Sequence, residues 1–220
     1  MHRGWTGLMA AAPLLLSACL FGGGDRPEPR RTAAKSTPAR APARPTAETR
    51  QCLAELDRYS IDYRTLPQQD FGNGCVVVGA VQLLDIGIPV SGLRSMRCPL
   101  ARNFSNWVRY AVAPAARQVM GSDLVRIESY GTFNCRPIAG SKRLSEHGRA
   151  NAVDVATFVL SDGRRVSVLD GWDGNSREQR FLRVVFRSAC KRFTTALGPE
   201  YNSAHANHFH LDMGGRPMCR

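Results

Sequence analysis

The sequence predicts an α+β domain with helices packed on one side of an antiparallel sheet, and three observations predict it. Some stretches repeat apolar residues every three or four positions, as helices do, and others alternate them, as strands do. The two kinds are interspersed along the chain, with turn signals such as Ser161-Asp162-Gly163 between them. No internal repeat is visible, and residues 48–220 are long enough for one compact domain with its own core.

The N-terminal residues are set aside before any fold reasoning. Arg3 gives a basic start, residues 8–16 are apolar apart from Pro13, and Leu16-Ser17-Ala18-Cys19 follows. Small residues before a cysteine resemble the lipobox of bacterial lipoproteins, which implies a signal peptide over residues 1–19 and lipid attachment at Cys19. The apolar run is shorter than the roughly 20 residues that span a bilayer, which argues against an uncleaved anchor. Residues 20–47 turn to Pro, Ala, Arg, Thr and Gly and bury too little to order themselves, so they read as a tether reaching at most roughly 90 Å.

The domain's elements follow in order. Residues 48–59 predict a short helix, and the Val-rich residues 75–84 predict a strand. Residues 100–120, with Trp107, Val108, Ala111 and Val119 in helical phase, predict a helix that Pro114 kinks or divides. Residues 124–130 and 152–160 predict strands, the second paired with residues 165–169 across the Ser161-Asp162-Gly163 turn. Leu182, Val185, Phe186, Ala189, Phe193 and Leu197 make one stripe, so residues 177–197 predict a helix stopped by Gly198-Pro199. Residues 208–213 are a last short strand.

Charge and cysteine content bound the setting. A net charge of +12, partly carried by the tether, draws the chain to anionic envelope polymers or lipid head groups. No nucleic-acid motif accompanies it, so nucleic acid is not an expected partner. Setting Cys19 aside from seven cysteines leaves Cys52, Cys75, Cys98, Cys135, Cys190 and Cys219. An even number in an oxidising compartment predicts up to three disulfides, with the pairing left open. No CxxC pair occurs, which argues against thiolate ligation of zinc.

Chemistry concentrates in two clusters that hold every histidine except His2. One is Ser145-Glu146-His147-Gly148-Arg149-Ala150-Asn151-Ala152-Val153-Asp154, the other His205-Ala206-Asn207-His208-Phe209-His210-Leu211-Asp212. Imidazole and carboxylate are the ligands of hydrolytic zinc sites, which keep a fourth position for water. Strand alternation turns His208 and His210 to one cleft and Phe209 and Leu211 to the core, and turns Asp154 away from Val153 and Val155. A loop containing Gly148 and Asn151 brings His147 back to close a three-ligand site. Asp212 shares the histidine face, either orienting a ligand or making a turn hydrogen bond. Ser145 braces the His147 loop and, without a GxSxG context, is no nucleophile. Glu146 reads as solvent-facing or structural, and Trp172 as a cleft wall or a buried anchor.

The pattern SxHxxxxAxD followed by HxxHxH resembles the zinc peptidase group of D-alanyl-D-alanine carboxypeptidases, penicillin-insensitive murein endopeptidase, lysostaphin and the hedgehog domain. Within it, residues 50–220 resemble the bacterial extensin-like C-terminal family. The resemblance implies the hedgehog and D-Ala-D-Ala peptidase type of fold, with Zn2+ held by His147, Asp154 and His210. It implies His208 as base or transition-state stabiliser and His205 as an added active-site histidine of the murein endopeptidase branch. The carboxypeptidase branch uses a glutamate shortly before its last zinc histidine; His205-Ala206-Asn207 stands there instead. Ser129-Tyr130 and Cys135-Arg136 resemble a stretched Ser-Gly-Tyr-Arg segment, which implies Arg136 as a substrate-binding cation. The implied protein is a zinc metallopeptidase that cleaves cross-link or stem peptides of peptidoglycan. It would be a periplasmic lipoprotein joined to the membrane, the outer rather than the inner, through Cys19. A non-catalytic, zinc-stabilised envelope-binding module is the alternative.

Overall fold

A computed structural model describes residues 45–220; the leader, Cys19 and the tether to residue 44 lie outside the described residues. The first helix, α1 (Ala47–Arg58), starts where the Thr46 side chain accepts a hydrogen bond from Thr49 N. The expected end of the tether at residue 47 therefore falls on the first helical residue. After it come β1 (Asp62–Thr65), β2 (Gln69–Asp70), β3 (Val76–Val77), β4 (Ala80–Asp85), β5 (Val90–Ser91) and β6 (Met96–Arg97). Strands β1, β4 and β6 form a small antiparallel sheet, and β2 pairs β3. The single strand expected over residues 75–84 is thus divided. Gly79 makes the break with φ +57, passing so close to α1 that a Cβ there would lie 2.6 Å from Thr49 Oγ1.

Helix α2 (Cys98–Trp107) runs without interruption into a π-helical stretch Val108–Val112, α3 (Ala113–Ala115) and a second π stretch Ala116–Met120. Pro114 does not divide it as expected. Widened turns, with Ala113 N donating to Val108 O, make room for the ring and its missing N–H. Gly121, left-handed at φ +70, ends the helix by donating to Arg117 O at 3.1 Å.

Next are β7 (Leu124–Gly131), β8 (Ala152–Leu160) and β9 (Arg165–Ser167). Strand β8 has the predicted bounds and the β8–β9 hairpin forms, Thr157 opposite Ser167 and Val159 opposite Arg165. The second arm stops short of residue 169, because the Ser167 hydroxyl accepts from Asp170 N and starts α4 (Val168–Gly171). Helix α5 (Ser176–Cys190) is capped by Asn175, whose side chain accepts from Arg177 N and Glu178 N, and buries Leu182, Val185, Phe186 and Ala189 as predicted.

The helix expected to reach residue 197 ends at Cys190. The chain turns there, and β10 (Thr195–Leu197) pairs antiparallel with β11 (Phe209–Asp212); β12 (Met218–Cys219) closes the chain. Phe193 and Leu197 are buried all the same, so the apolar stripe continues while the conformation changes. A strand buried on both sides carries no period that tells it from a helix.

The main sheet runs β12-β10-β11-β8-β7-β5, with β9 on the same β8 edge as β11. It is mixed rather than antiparallel throughout: β5 runs parallel to β7 and β10 to β12, at the two edges. Parallel neighbours need a crossover, and the α2 to Met120 helix supplies the one between β5 and β7. On one face of the sheet, Phe158 meets the rings of Trp107, Phe181 and Phe209, and Phe209 meets Phe186 and Trp172. Each fully buried aromatic there contributes about 1.5–3 kcal/mol. Trp172 is therefore an anchor beneath α5, with Arg183 over its ring at 4.4 Å.

Among the described residues all six cysteines pair, as Cys52–Cys98, Cys75–Cys135 and Cys190–Cys219. Among the described residues, no helix is long and apolar enough to cross a membrane.

Candidate metal centre

Strand pairing delivers the first two site residues. Asp154 of β8 lies directly opposite His210 of β11 in antiparallel register, so both side chains leave the same face of the sheet. Val153, Val155, Phe209 and Leu211 take the other face and are fully buried. A bulge at Ala156, where β8 spends two residues against one of β7, then shifts the alternation and returns Phe158 and Leu160 to the core.

His147 arrives on a short 3-10 helix, Glu146–Arg149, whose start the Ser145 hydroxyl caps by accepting from His147 N at 3.3 Å. The reversal toward β8 occurs at Ala150, at φ +53, and not at Gly148. Gly148 serves close packing: a Cβ there would lie 2.8 Å from Leu144 Cδ1 and 3.1 Å from Cys75 Sγ. Holding alanine at that φ costs on the order of 1 kcal/mol, met by its burial against Val77 and Ala80 and by Arg97 N donating to its carbonyl at 2.7 Å. Glu146 is a strut, accepting from Arg149 at 2.9 Å and Asn151 at 2.7 Å, with Gly214 packed on its carboxylate.

The three side chains meet at one point. His147 Nε2 lies 3.1 Å from both Asp154 Oδ1 and His210 Nδ1, and His210 Nδ1 lies 3.0 Å from the same oxygen. Among the described residues, this is the buried group of three that brings potential ligand atoms within 4.8 Å of one another.

The remaining nitrogens fix the protons. His147 Nδ1 faces the Thr132 carbonyl at 3.2 Å and His210 Nε2 faces Asp212 Oδ2 at 2.9 Å. A carbonyl and a carboxylate only accept, so each of those nitrogens carries the proton and the inward nitrogen of a neutral ring is a bare lone pair. With both rings neutral, two lone pairs and a carboxylate oxygen would point at one another, an arrangement that a cation relieves. Without a metal, that cation is a proton on His210. Burial alone would lower His210, but hydrogen bonds to Asp154 and Asp212 outweigh it and hold the ring up at about 9. Burial likewise works against the Asp154 carboxylate, and the His147 and His210 hydrogen bonds overcome it and hold its pKa well below the usual range.

His208 and His205 stand beside this triad. His208 Nε2 is 3.5 Å from Asp154 Oδ1 while its Nδ1 faces Asn207 Oδ1 at 2.8 Å. His205 Nδ1 faces Asn202 Oδ1 at 2.7 Å, and its ring lies 5.2 Å from that of His208 and 5.8 Å from that of His210. Burial and the neighbouring positive charges, Arg136 among them, lower both; His205 is brought to about 4. Two tyrosines missing from the sequence-based set flank them: Tyr130, the extra residue of a bulge in β7, against His208 at 5.7 Å, and Tyr201 against His205 at 5.3 Å. Arg136 is exposed on the loop after β7, its guanidinium donating to Pro137 O at 3.5 Å, and touches the histidines through its charge alone.

The family model described as Extensin-like protein C-terminus matches residues 50–220. No curated protein and no solved structure matches the chain. Matched over more than half of its length, the chain belongs to the Extensin-like protein C-terminus family.

Proposed function

We propose that this domain is a zinc-dependent peptidase of peptidoglycan, of the hedgehog and D-Ala-D-Ala peptidase type, cleaving cross-link or stem peptides in the periplasm as a Cys19-anchored lipoprotein. The observation that carries the proposal is the convergence of His147 Nε2, His210 Nδ1 and Asp154 Oδ1, each within 3.1 Å of the others, with the outer nitrogens pinned by acceptors. Two neutral imidazoles and one carboxylate form a mixed nitrogen and oxygen donor set that suits Zn2+, and three protein ligands are the number found in catalytic sites. When bound, zinc supplies Lewis acidity and a water that ionises near neutral pH.

The chain's own groups supply the rest. Asn207 holds the proton on His208 Nδ1, which leaves Nε2 as a base facing the triad, and burial keeps the ring neutral. His208 therefore takes the proton of the attacking water and returns it to the departing amine. His205, neutral by the same cause and pinned by Asn202, receives the proton or donates to the substrate from the outer side. Tyr130 and Tyr201 wall the opening and set the line along which a peptide lies.

The test pairs elemental analysis with digestion of purified sacculi. One equivalent of zinc per chain is expected, lost with chelator and with His147→Ala. His208→Ala is expected to keep the zinc and lose at least about a hundredfold in peptide release, the usual contribution of a general base. Equal products from His208→Ala and the unaltered chain would remove catalysis from this site. Zinc without products from either would leave the envelope-binding module, and stoichiometric iron or nickel would overturn the zinc assignment.

A further inference from the structure

The outer face of α5 carries a feature of another kind. Arg177, Arg180, Val184, Arg187 and Lys191 follow at alternating intervals of three and four residues, and so form one line along the helix. The line lies opposite the buried stripe and is roughly 20 Å long. Its four cations are exposed, and among the described residues none of them is in an ion pair. Arg183 next to them is engaged, by Glu200 at 2.6 Å and Asp173 at 3.9 Å. At the C-terminal end, an open hollow of about 420 Å³ is lined by Val184, Arg187, Ser188, Lys191 and Arg192.

The N-terminal half of this charge pattern opposes the helix that bears it, while Arg187 and Lys191 suit its C-terminal end. Arg177 and Arg180 stand near the N-terminus, where the helix dipole favours anions, and like charges three or four residues apart repel. Packing of Phe181, Leu182, Val185 and Phe186 holds α5 in place regardless, so the positive field is left to meet an anion from outside.

We infer that this line of cations seats the domain on an anionic phospholipid surface. Two pairs of cations, Arg177 with Arg180 and Arg187 with Lys191, on one side of a straight helix can meet phosphates that lie in one plane. Orientation separates lipid from an anionic polymer. Helix α5 covers the core face of the sheet, through Phe186 on Phe209, whereas His147, Asp154 and His210 leave the reverse face. Docking through α5 turns the histidines outward from the membrane; a polymer strand held on α5 would lie on the wrong side to reach them. The choice of lipid over polymer rests on the proposed action of the histidines on the polymer; the vesicle footprint reads the α5 surface itself, whether or not the histidines are active.

Footprinting of the full chain tests it. Arginines are modified with phenylglyoxal and lysines with acetic anhydride, with vesicles of phosphatidylcholine alone or mixed with phosphatidylglycerol, and read by mass spectrometry. Arg177, Arg180, Arg187 and Lys191 are expected to be protected only by the mixed vesicles, with protection lost at high salt and Arg143, on the loop before His147, unchanged. In flotation, the advantage of mixed over neutral vesicles is expected to fall about fivefold per charge removed in R180Q/R187Q, with circular dichroism confirming that α5 persists. Equal protection by both vesicle types, or none, overturns the inference. So does protection by sacculi or DNA fragments where the anionic vesicles give none.

Discussion

At the scale of single residues, the proton on each histidine decides what the site can do. Asp212 is not among the converging three, yet it holds the proton on His210 Nε2 at 2.9 Å and so leaves Nδ1 as the nitrogen that turns to a metal ion. Its other oxygen accepts from Gly214 N at 2.9 Å, which fixes its direction. Asp212→Asn is nearly the same shape but is neutral and able to present its amide nitrogen to the ring. Zinc affinity is expected to fall about 10–100-fold, as it does when such outer partners are lost, while the fold is retained. A competition titration with a chromophoric chelator measures it, and an unchanged affinity would show that Asp212 is only a turn residue. Much of this site is legible in the sequence, because alternation alone puts His208, His210 and Asp212 on one face. The rest is not: a backbone carbonyl such as Thr132 O has no side-chain signature. Ala150 reverses the chain in a conformation that its sequence neighbours assign to Gly148.

Among elements, the junction between α1 and β1 shows how a strand is tied to a helix by one polar contact. Tyr63 of β1 donates its hydroxyl to Asp57 of α1 at 2.8 Å. Burial first, and then the Asp57 hydrogen bond and charge, raise the phenol to about 12. The folded value exceeds the ordinary value of about 10, so the protonated phenol is the stabilised form. Its contribution is whole below pH about 10 and is lost as pH rises from there through about 12. Phenolate absorbance, taken as the difference between the chain and its Tyr63→Phe variant, is expected to appear near pH 12. Asp57→Asn is expected to move it toward 10 by removing the charge, and a difference signal already complete at pH 10 would refute the contact. Elements were readable where a burial period and a local stop coincide, as in β8 and in α5 as far as Cys190. They were not where two conformations bury alike. The stripe through Phe193 and Leu197 belongs to a strand because β11 is there to pair with it, a fact of tertiary structure that no local pattern carries.

For the molecule as a whole, the disulfides divide the labour between stability and the site. Cys75–Cys135 and Cys190–Cys219 close spans of 60 and 29 residues, worth about 4 and about 3.5 kcal/mol by chain entropy, so as constraints on the unfolded chain they are near equals. Their places differ. Cys75 lies against Gly148, and the stretch ending at Cys135 grips His147 twice, through Thr132 O on its ring and Asn134 N on its carbonyl at 3.2 Å. Cys190–Cys219 joins the end of α5 to the edge strand β12, with no group of the triad in reach. Replacing either pair by serines is expected to lower the melting temperature by similar amounts. Only loss of Cys75 and Cys135 is expected to weaken zinc binding, because the stretch that grips His147 through Thr132 and Asn134 then loses its staple. The linkage makes this measurable by calorimetry, since free metal at a hundredfold excess over Kd stabilises the fold by about 2.7 kcal/mol. That increment is expected to persist in Cys190→Ser/Cys219→Ser and to shrink in Cys75→Ser/Cys135→Ser. Equal increments in the two variants would mean that β8 and β11 position the triad unaided and that the Cys75–Cys135 staple serves stability alone.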